Sequence, residues 1–484
     1  MSNIITLLAI IVAVALFTRA SGNPMGHGSA YMRRRIMNWV PMGVGYAFLY
    51  FGRYNLTVAK MALGDLMNKH EFGTIFAAGT WVYALAFILN GPLTDRIGGR
   101  KAMLISTIGA ALSNAAIGVL VFILGPASAN GSLRTPTGHT VLFLLFILLY
   151  ACNMYFQSFG AVSIVKVNSA WFHVRERGVF GGIFGILISA GVFFAFDFGQ
   201  WIVDGLHTVK DAAGQVIVNP PFAVFWIPGA LLLGAALWIF LIVRDRPGEA
   251  GYANFDTGDA SSGESDAPDP VRVILKKVVT NPVVLTIGAI EFCTGVLRQG
   301  IMHWYPIYGG EMGYKSIFLV TKEWGTMLFI AGATGGMTAG WISDKVFGSR
   351  RGPVAALLYG LMLMAVIVMA FAVQMPGTGA VDLTRMWLLG ACVVLISYCV
   401  IGTHGMLSGT ATMDFGGRKN AGTAVGLIDG LVYLGTGLQA LSLGFLTEKS
   451  WSYWPIFLVP FAVIGVLLSL RIWKAIPAAA HKKA

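Results

Sequence analysis

GPLTDRIGGRK (91–101) returns, loosened, as GWISDKVFGSRRG (340–352), and this pair of stretches decides the fold. In each copy a glycine stands four residues before an aspartate: Gly91 and Asp95, then Gly340 and Asp344. Basic residues follow in both, Arg96, Arg100 and Lys101 in the first, Lys345, Arg350 and Arg351 in the second. Each copy lies between two apolar stretches, and each trails an arginine set deep in an apolar run. Arg53 lies 42 residues before Asp95, and Arg298 lies 46 residues before Asp344. The chain therefore reads as two related halves, each bringing one fixed positive charge.

Working outward, 56% of the 484 residues are hydrophobic and 12% are charged. A soluble domain carries about 25% charged residues, so this is the composition of a polytopic membrane protein. Twelve apolar spans are expected, over 36–59, 72–93, 101–124, 141–165, 179–199, 222–243, 282–303, 320–343, 353–374, 385–407, 421–445 and 453–473. The net charge of +12 invites a nucleic-acid reading, but its distribution opposes one. With the Arg33–Arg35 run placed in the cytoplasm, that side collects 22 Lys and Arg and the other side 8. Such asymmetry orients a membrane protein with its basic loops inside. Both ends of the twelve-span core are then cytoplasmic, and the setting expected is a bacterial inner membrane.

The expected divisions are an N-terminal segment (1–32), a six-helix half (33–246), a cytoplasmic linker (247–279), a second half (280–476) and a tail (477–484). The linker is rich in Gly, Ser, Asp and Pro, with nothing to bury. Residues 4–17 are apolar yet short for a span. They admit three readings: an extra helix with its N-terminus outside, a tilted anchor, or the product of an upstream start codon that is not used. Cys152, Cys293, Cys392 and Cys399 sit in apolar spans without CxxC spacing, so neither a disulfide nor a metal site is expected.

An arginine at the centre of a membrane helix costs about 2.5–3.5 kcal/mol on insertion scales, and guanidinium does not shed its charge. Arg53 and Arg298 must therefore face a wet cavity or a negative partner. Tyr46, Tyr50 and Arg53 fall on one helical stripe, and Tyr83 of the second span can join them. His303 lies about a turn beyond Arg298, before Pro306. Guanidinium forks grip phosphate oxygens two at a time, and two forks suit a dianion. Glu291 lies two turns before Arg298 on the same face, within reach of a pair through a neighbour or water. Lys166, Asp429 and His404 are the other deep polar groups, with ion-pair or coupling roles. Asp429 has three options: a proton, Lys166 or an arginine. Asp95 is expected to accept N–H groups at a neighbouring helix start. Arg96, Arg100 and Lys101 are expected to pair with acids of the other half, so that Gly91, Asp95, Arg96, Arg100, Gly340, Asp344 and Arg350 form a latch between halves. No nucleotide-binding loop, Ser/His/Asp grouping or HExxH motif occurs, so the chain reads as neither an enzyme nor a cofactor binder.

The loop at 91–101 resembles the signature loop of the major facilitator superfamily. GYAFLYFGRYNLTVA (45–59) and LRQGIMHWYPIY (297–308) resemble the first and seventh spans of its organophosphate:phosphate antiporters, and GWISDKVF (340–347) and RKNAGTAVG (418–426) follow the later pattern. The resemblance implies twelve helices in two pseudo-symmetric halves with a site near the midplane. It also implies that Arg53 and Arg298 bind the phosphate of an organophosphate and of inorganic phosphate, with Tyr46, Tyr50 and Tyr83 lining the cavity. Phe87, Ile188 and Phe329 stand where the glycerol-3-phosphate branch has a lysine, a histidine and an acid, whereas Asp429-Gly430 resembles the exchanger branch. The expected function is exchange of an organophosphate for inorganic phosphate by a monomer. The rivals are a sugar-phosphate sensor built like a transporter, and a proton-coupled carrier of another organic anion.

Overall fold

The computed structural model describes the chain except residues 1, 21–22, 24, 130–135, 174–175, 207, 211–215, 219, 258–271, 274–275, 277–279, 349, 376–381, 417–420 and 475–484. The expected tail and most of the expected linker lie outside the described residues.

The first half holds α1 (Ser2–Ala20), α2 (Ser29–Leu63), α3 (Lys69–Ile97), α4 (Gly99–Ala129) and α5 (Pro136–Trp171). It continues with α6 (Arg177–Phe193), which passes through a π turn (Phe194–Phe198) into α7 (Gly199–Leu206), and ends with α8 (Ala223–Ile242). The second half holds α9 (Pro282–Met302), α10 (Trp304–Glu311), a single turn α11 (Leu319–Lys322), α12 (Trp324–Lys345) and α13 (Arg351–Gln374). It closes with α14 (Leu383–Gly416), α15 (Ala421–Lys449) and α16 (Tyr453–Arg471). Ten helices among the described residues are long and apolar enough to cross a membrane. The chain is an integral, multi-pass membrane protein, and helices satisfy their own backbone groups in lipid.

Most helices run a turn or more past the apolar stretches, because hydropathy registers only the hydrocarbon depth while the hydrogen-bond ladder continues beyond it. Caps set several ends. Asn68 and Glu71 form a reciprocal capping box at the start of α3. The Asn281 side chain accepts from Val283 N and Val284 N at the start of α9, with Pro282 as first helical residue. After α7, β1 (Thr208–Lys210) pairs antiparallel with β2 (Val216–Val218).

The halves meet chiefly through α3 against α15 and α6 against α12. Glycine permits the first contact. A Cβ on Gly73 would lie 2.5 Å from Ala440 O, and one on Gly426 would lie 2.4 Å from Phe87 O and 3.8 Å from Gly91 Cα. These glycines bring backbones together, which is what membrane helices need where no hydrophobic force separates lipid from protein. Gly340 differs: a Cβ there would meet nothing within 4 Å. The two loops are alike in sequence and unlike in packing.

Residues 2–20 are helical. α1 packs along α6, and Ile10 is buried with Ile186, Ala190 and Phe193 of α6 and Phe329 of α12.

Candidate functional site

Arg53 is fully buried in α2. Its guanidinium is spent on neutral partners: Nε donates to Gln157 Oε1 at 2.9 Å, Nη1 to Tyr433 Oη at 2.7 Å and Nη2 to Tyr83 Oη at 2.9 Å. Tyr50 and Tyr83 offer it ring faces at 4.7 and 4.5 Å. Gln157 is itself aimed by a chain of amides. Its Nε2 donates to Asn153 Oδ1, which also accepts from Asn114, and Asn114 accepts from Asn55. Tyr150 donates to Arg53 O and pins the same turn.

Arg298 on α9 is 8% exposed. Its Nε and Nη2 meet no hydrogen-bonding partner among the described residues. Those two nitrogens form one edge of the fork, spaced for two oxygens of one anion. The arginines are therefore unequal, where the sequence presented them as a matched pair. Tyr50, Tyr54 and Tyr433 each lie within Coulombic reach of both guanidiniums, so the cations share one cluster of tyrosines. Tyr46 packs edge-to-face on Tyr50.

On the side of the start of α3 the two halves are tied together. Gln299 Nε2 donates to Tyr54 Oη at 2.8 Å. His303 Nδ1 lies 2.7 Å from Thr57 Oγ1, with its ring against Tyr54 and Phe76. Lys69 pairs with Glu311 at 3.1 Å. Each of these contacts joins one half to the other. His303 is thus placed in this closure, 1% exposed. His404 and Asp429 are partly exposed.

The deep carboxylates find partners other than those expected. Glu291 Oε2 takes His404 Nδ1 at 2.7 Å, and Arg298 stays within Coulombic reach only. Asp429 accepts from Ser408, and no pair with Lys166 is formed among the described residues. Lys166 instead pairs with Asp95 at 3.0 Å, inside the first half.

The loop at 91–101 is braced from its own half. Asp245 accepts from the start of α4, through Arg100 N at 2.7 Å. Burial raises the Asp245 carboxyl above the usual carboxylate range. The Arg100 guanidinium donates to Phe240 O, again within its own half, and Arg96 is exposed beside Asp245 and Glu249. Arg350 is exposed and donates to Phe347 O. The Asp344 side chain lies outside the described residues. The described contacts brace each loop locally, and no cross-half pair of these charges occurs among the described residues.

Sequence reasoning missed Gln157, Tyr433, Tyr54 and Gln299. Three of them had a signal: Tyr54 and Gln299 adjoin the arginines, and Gln157 is a polar residue at membrane depth. Tyr433 gave none, since its role depends on which helix α15 touches.

The comparisons agree with this architecture. Residues 42–440 match the Major Facilitator Superfamily. The chain is 24% identical over 463 residues to the glycerol-3-phosphate transporter of Bacillus subtilis, covering 94% of this chain and 95% of that protein. It is 24% identical over 467 residues to the membrane sensor protein UhpC of Salmonella typhimurium, covering 92% and 91%. A crystal structure of a bacterial homologue of the human lysosomal transporter Spinster, inward-facing and occupied, matches with TM-score 0.63 at 14% identity, covering 93% of this chain and 98% of that one. The chain belongs to the Major Facilitator Superfamily and is a membrane transport protein, not an enzyme.

Proposed function

Proceeding from that membership, we propose that the chain exchanges an organophosphate, such as a sugar phosphate or glycerol phosphate, for inorganic phosphate by alternating access. The observation that carries the reading is the edge of Arg298, two buried donors without a partner among the described residues, beside tyrosines that it shares with a second guanidinium. A buried cation without a partner is costly, and an oxyanion offsets the cost. Phosphate supplies both charge and spacing.

In this reading an anion entering from the cytoplasm docks on Arg298 Nε and Nη2. Tyr433, which ties Arg53 to the second half, yields its place to a phosphate oxygen as Arg53 engages. Both forks then hold one ligand across the divide between 33–246 and 280–476, joined by the linker 247–279. Returning empty would bury the Arg298 edge again, so each crossing needs an anion, which is exchange. Both ends of the core face the cytoplasm of a bacterial inner membrane, and the monomer is the working unit. The glycerol-3-phosphate transporter among the relatives supports the organophosphate reading.

Counterflow tests it. Proteoliposomes loaded with inorganic phosphate should take up labelled phosphate, and external glycerol 3-phosphate or a hexose phosphate should compete. Uptake driven by a pH gradient with no phosphate inside would replace exchange by proton-coupled carriage. A second reading, sensing, is favoured by the likeness to UhpC. Phosphate-ester binding without counterflow selects it.

A further inference from the structure

The seam where α6 and its π turn meet α12 carries a charged group that neither the site nor the cytoplasmic loops use. Asp197 stands in the π turn, 6% exposed. Its Oδ1 accepts from Gly325 N at 2.6 Å, and its Oδ2 accepts from Thr326 N and Thr326 Oγ1, both at 2.7 Å. α12 begins at Trp324. These are therefore first-turn N–H groups, which a helix leaves without internal acceptors, and the helix dipole favours an anion there. The carboxylate belongs to one half and the helix start to the other.

Three further observations mark the contact as built. The π turn inserts a residue into α6–α7, a device that re-aims side chains within a helix. Gly325 is needed where it stands, because a Cβ there would lie 2.9 Å from Asp197 Oδ1. And α1 lies over the seam. Thr6 Oγ1 is 3.3 Å from Thr326 Oγ1, the hydroxyl that serves Asp197. One turn on, Ile10 is wedged between α6 and Phe329 of α12.

We propose that Asp197 and the start of α12 form the outer latch of the cycle, and that α1 is a strap that holds it shut. The latch is closed while the site faces the cytoplasm. Outward opening must draw α12 from the π turn, stripping the carboxylate of three donors at once. Of the neighbouring contacts between the halves, Thr57 with His303 and Tyr54 with Gln299 exchange neutral groups, and the Lys69–Glu311 pair stays in reach of solvent, with Glu311 39% exposed, where an ion pair holds weakly; these part more readily. Asp197 therefore sets how often the outer side opens, and α1, touching both halves, sets how far.

Spin labels at Gly205→Cys and Leu319→Cys, exposed positions on opposite sides of the seam, in a Cys152→Ser background, report the opening as a distance distribution in lipid nanodiscs without substrate. The full chain should populate mainly the short distance. Asp197→Asn keeps the size but turns one acceptor into a donor facing N–H groups, and should raise the long-to-short ratio at least tenfold. Thr326→Val, which removes one of the three donors and the Thr6 contact, should move the ratio the same way by less. Deletion of residues 2–20 should also raise it. An Asp197→Asn protein with the parent distribution overturns the latch. Should that variant fail to fold, an unchanged Thr326→Val distribution overturns it alone. An unchanged distribution after the deletion overturns the strap. The distances need no transported anion, so the outcome stands apart from the identity of the substrate.

Discussion

Replacing Arg298 by lysine keeps the charge and removes the fork. Arg298 presents Nε and Nη2 as one two-donor edge, whereas an ammonium on a shorter reach presents a point. One charge-assisted hydrogen bond to phosphate is then lost, worth about 1.5–3 kcal/mol. At about 1.4 kcal/mol per factor of ten, the half-saturation concentration for phosphate presented from the cytoplasmic side should rise about 10- to 150-fold. Arg53→Lys should act differently, because Arg53 already gives its three nitrogens to Gln157, Tyr433 and Tyr83. Its loss should depress the exchange rate more than the initial affinity. The assay is labelled-phosphate counterflow in proteoliposomes of known orientation, with detergent-phase melting to establish that each variant is folded. A parental half-saturation in Arg298→Lys, or equal changes in both variants, would refute the reasoning that Arg298 is the receiving edge.

Three other outcomes are expected. Glu291→Gln removes a negative charge within Coulombic reach of Arg298 and should lower the phosphate half-saturation several-fold in the same assay; a rise would place Glu291 in a binding rather than an opposing role. Arg35 and Glu176 form a buried pair at 2.9 Å, so Arg35→Ala, which strands the carboxylate, should cost about 3–5 kcal/mol, read as a lowered melting temperature. A Cβ on Gly295 would lie 2.0 Å from Val432 O; Gly295→Ala should force α9 from α15, cost about 1–3 kcal/mol or more and reduce the folded yield.

Much of the architecture could be read directly from the chain. Apolar length, the two copies of the glycine–aspartate turn and the one-sided spread of basic residues each depend on position along a single dimension, and a bilayer is a one-dimensional solvent gradient. Arg53 and Arg298 were legible for the same reason, since a permanent charge at depth needs an explanation wherever it occurs. The partners of those charges were not. Glu291 was read beside Arg298 because helical periodicity reaches only neighbours on the same helix, yet His404 of α14 takes it. Lys166 was offered to Asp429 and is held by Asp95. Asp197 is a buried cap on a helix of the other half, a partnership that no spacing along its own helix shows.

Sequence alone thus determined that this protein crosses the membrane many times, in two related halves, with two guanidiniums at depth. Only the tertiary structure decided that Arg53 is held by neutral partners while Arg298 Nε and Nη2 have none among the described residues, and which contacts tie the halves together. The reason is geometric. Hydropathy and charge are properties of a residue against its solvent, whereas a hydrogen bond is a property of two residues. Gln157 and Tyr433 reach Arg53 from 104 and 380 positions away, a meeting set by how helices pack.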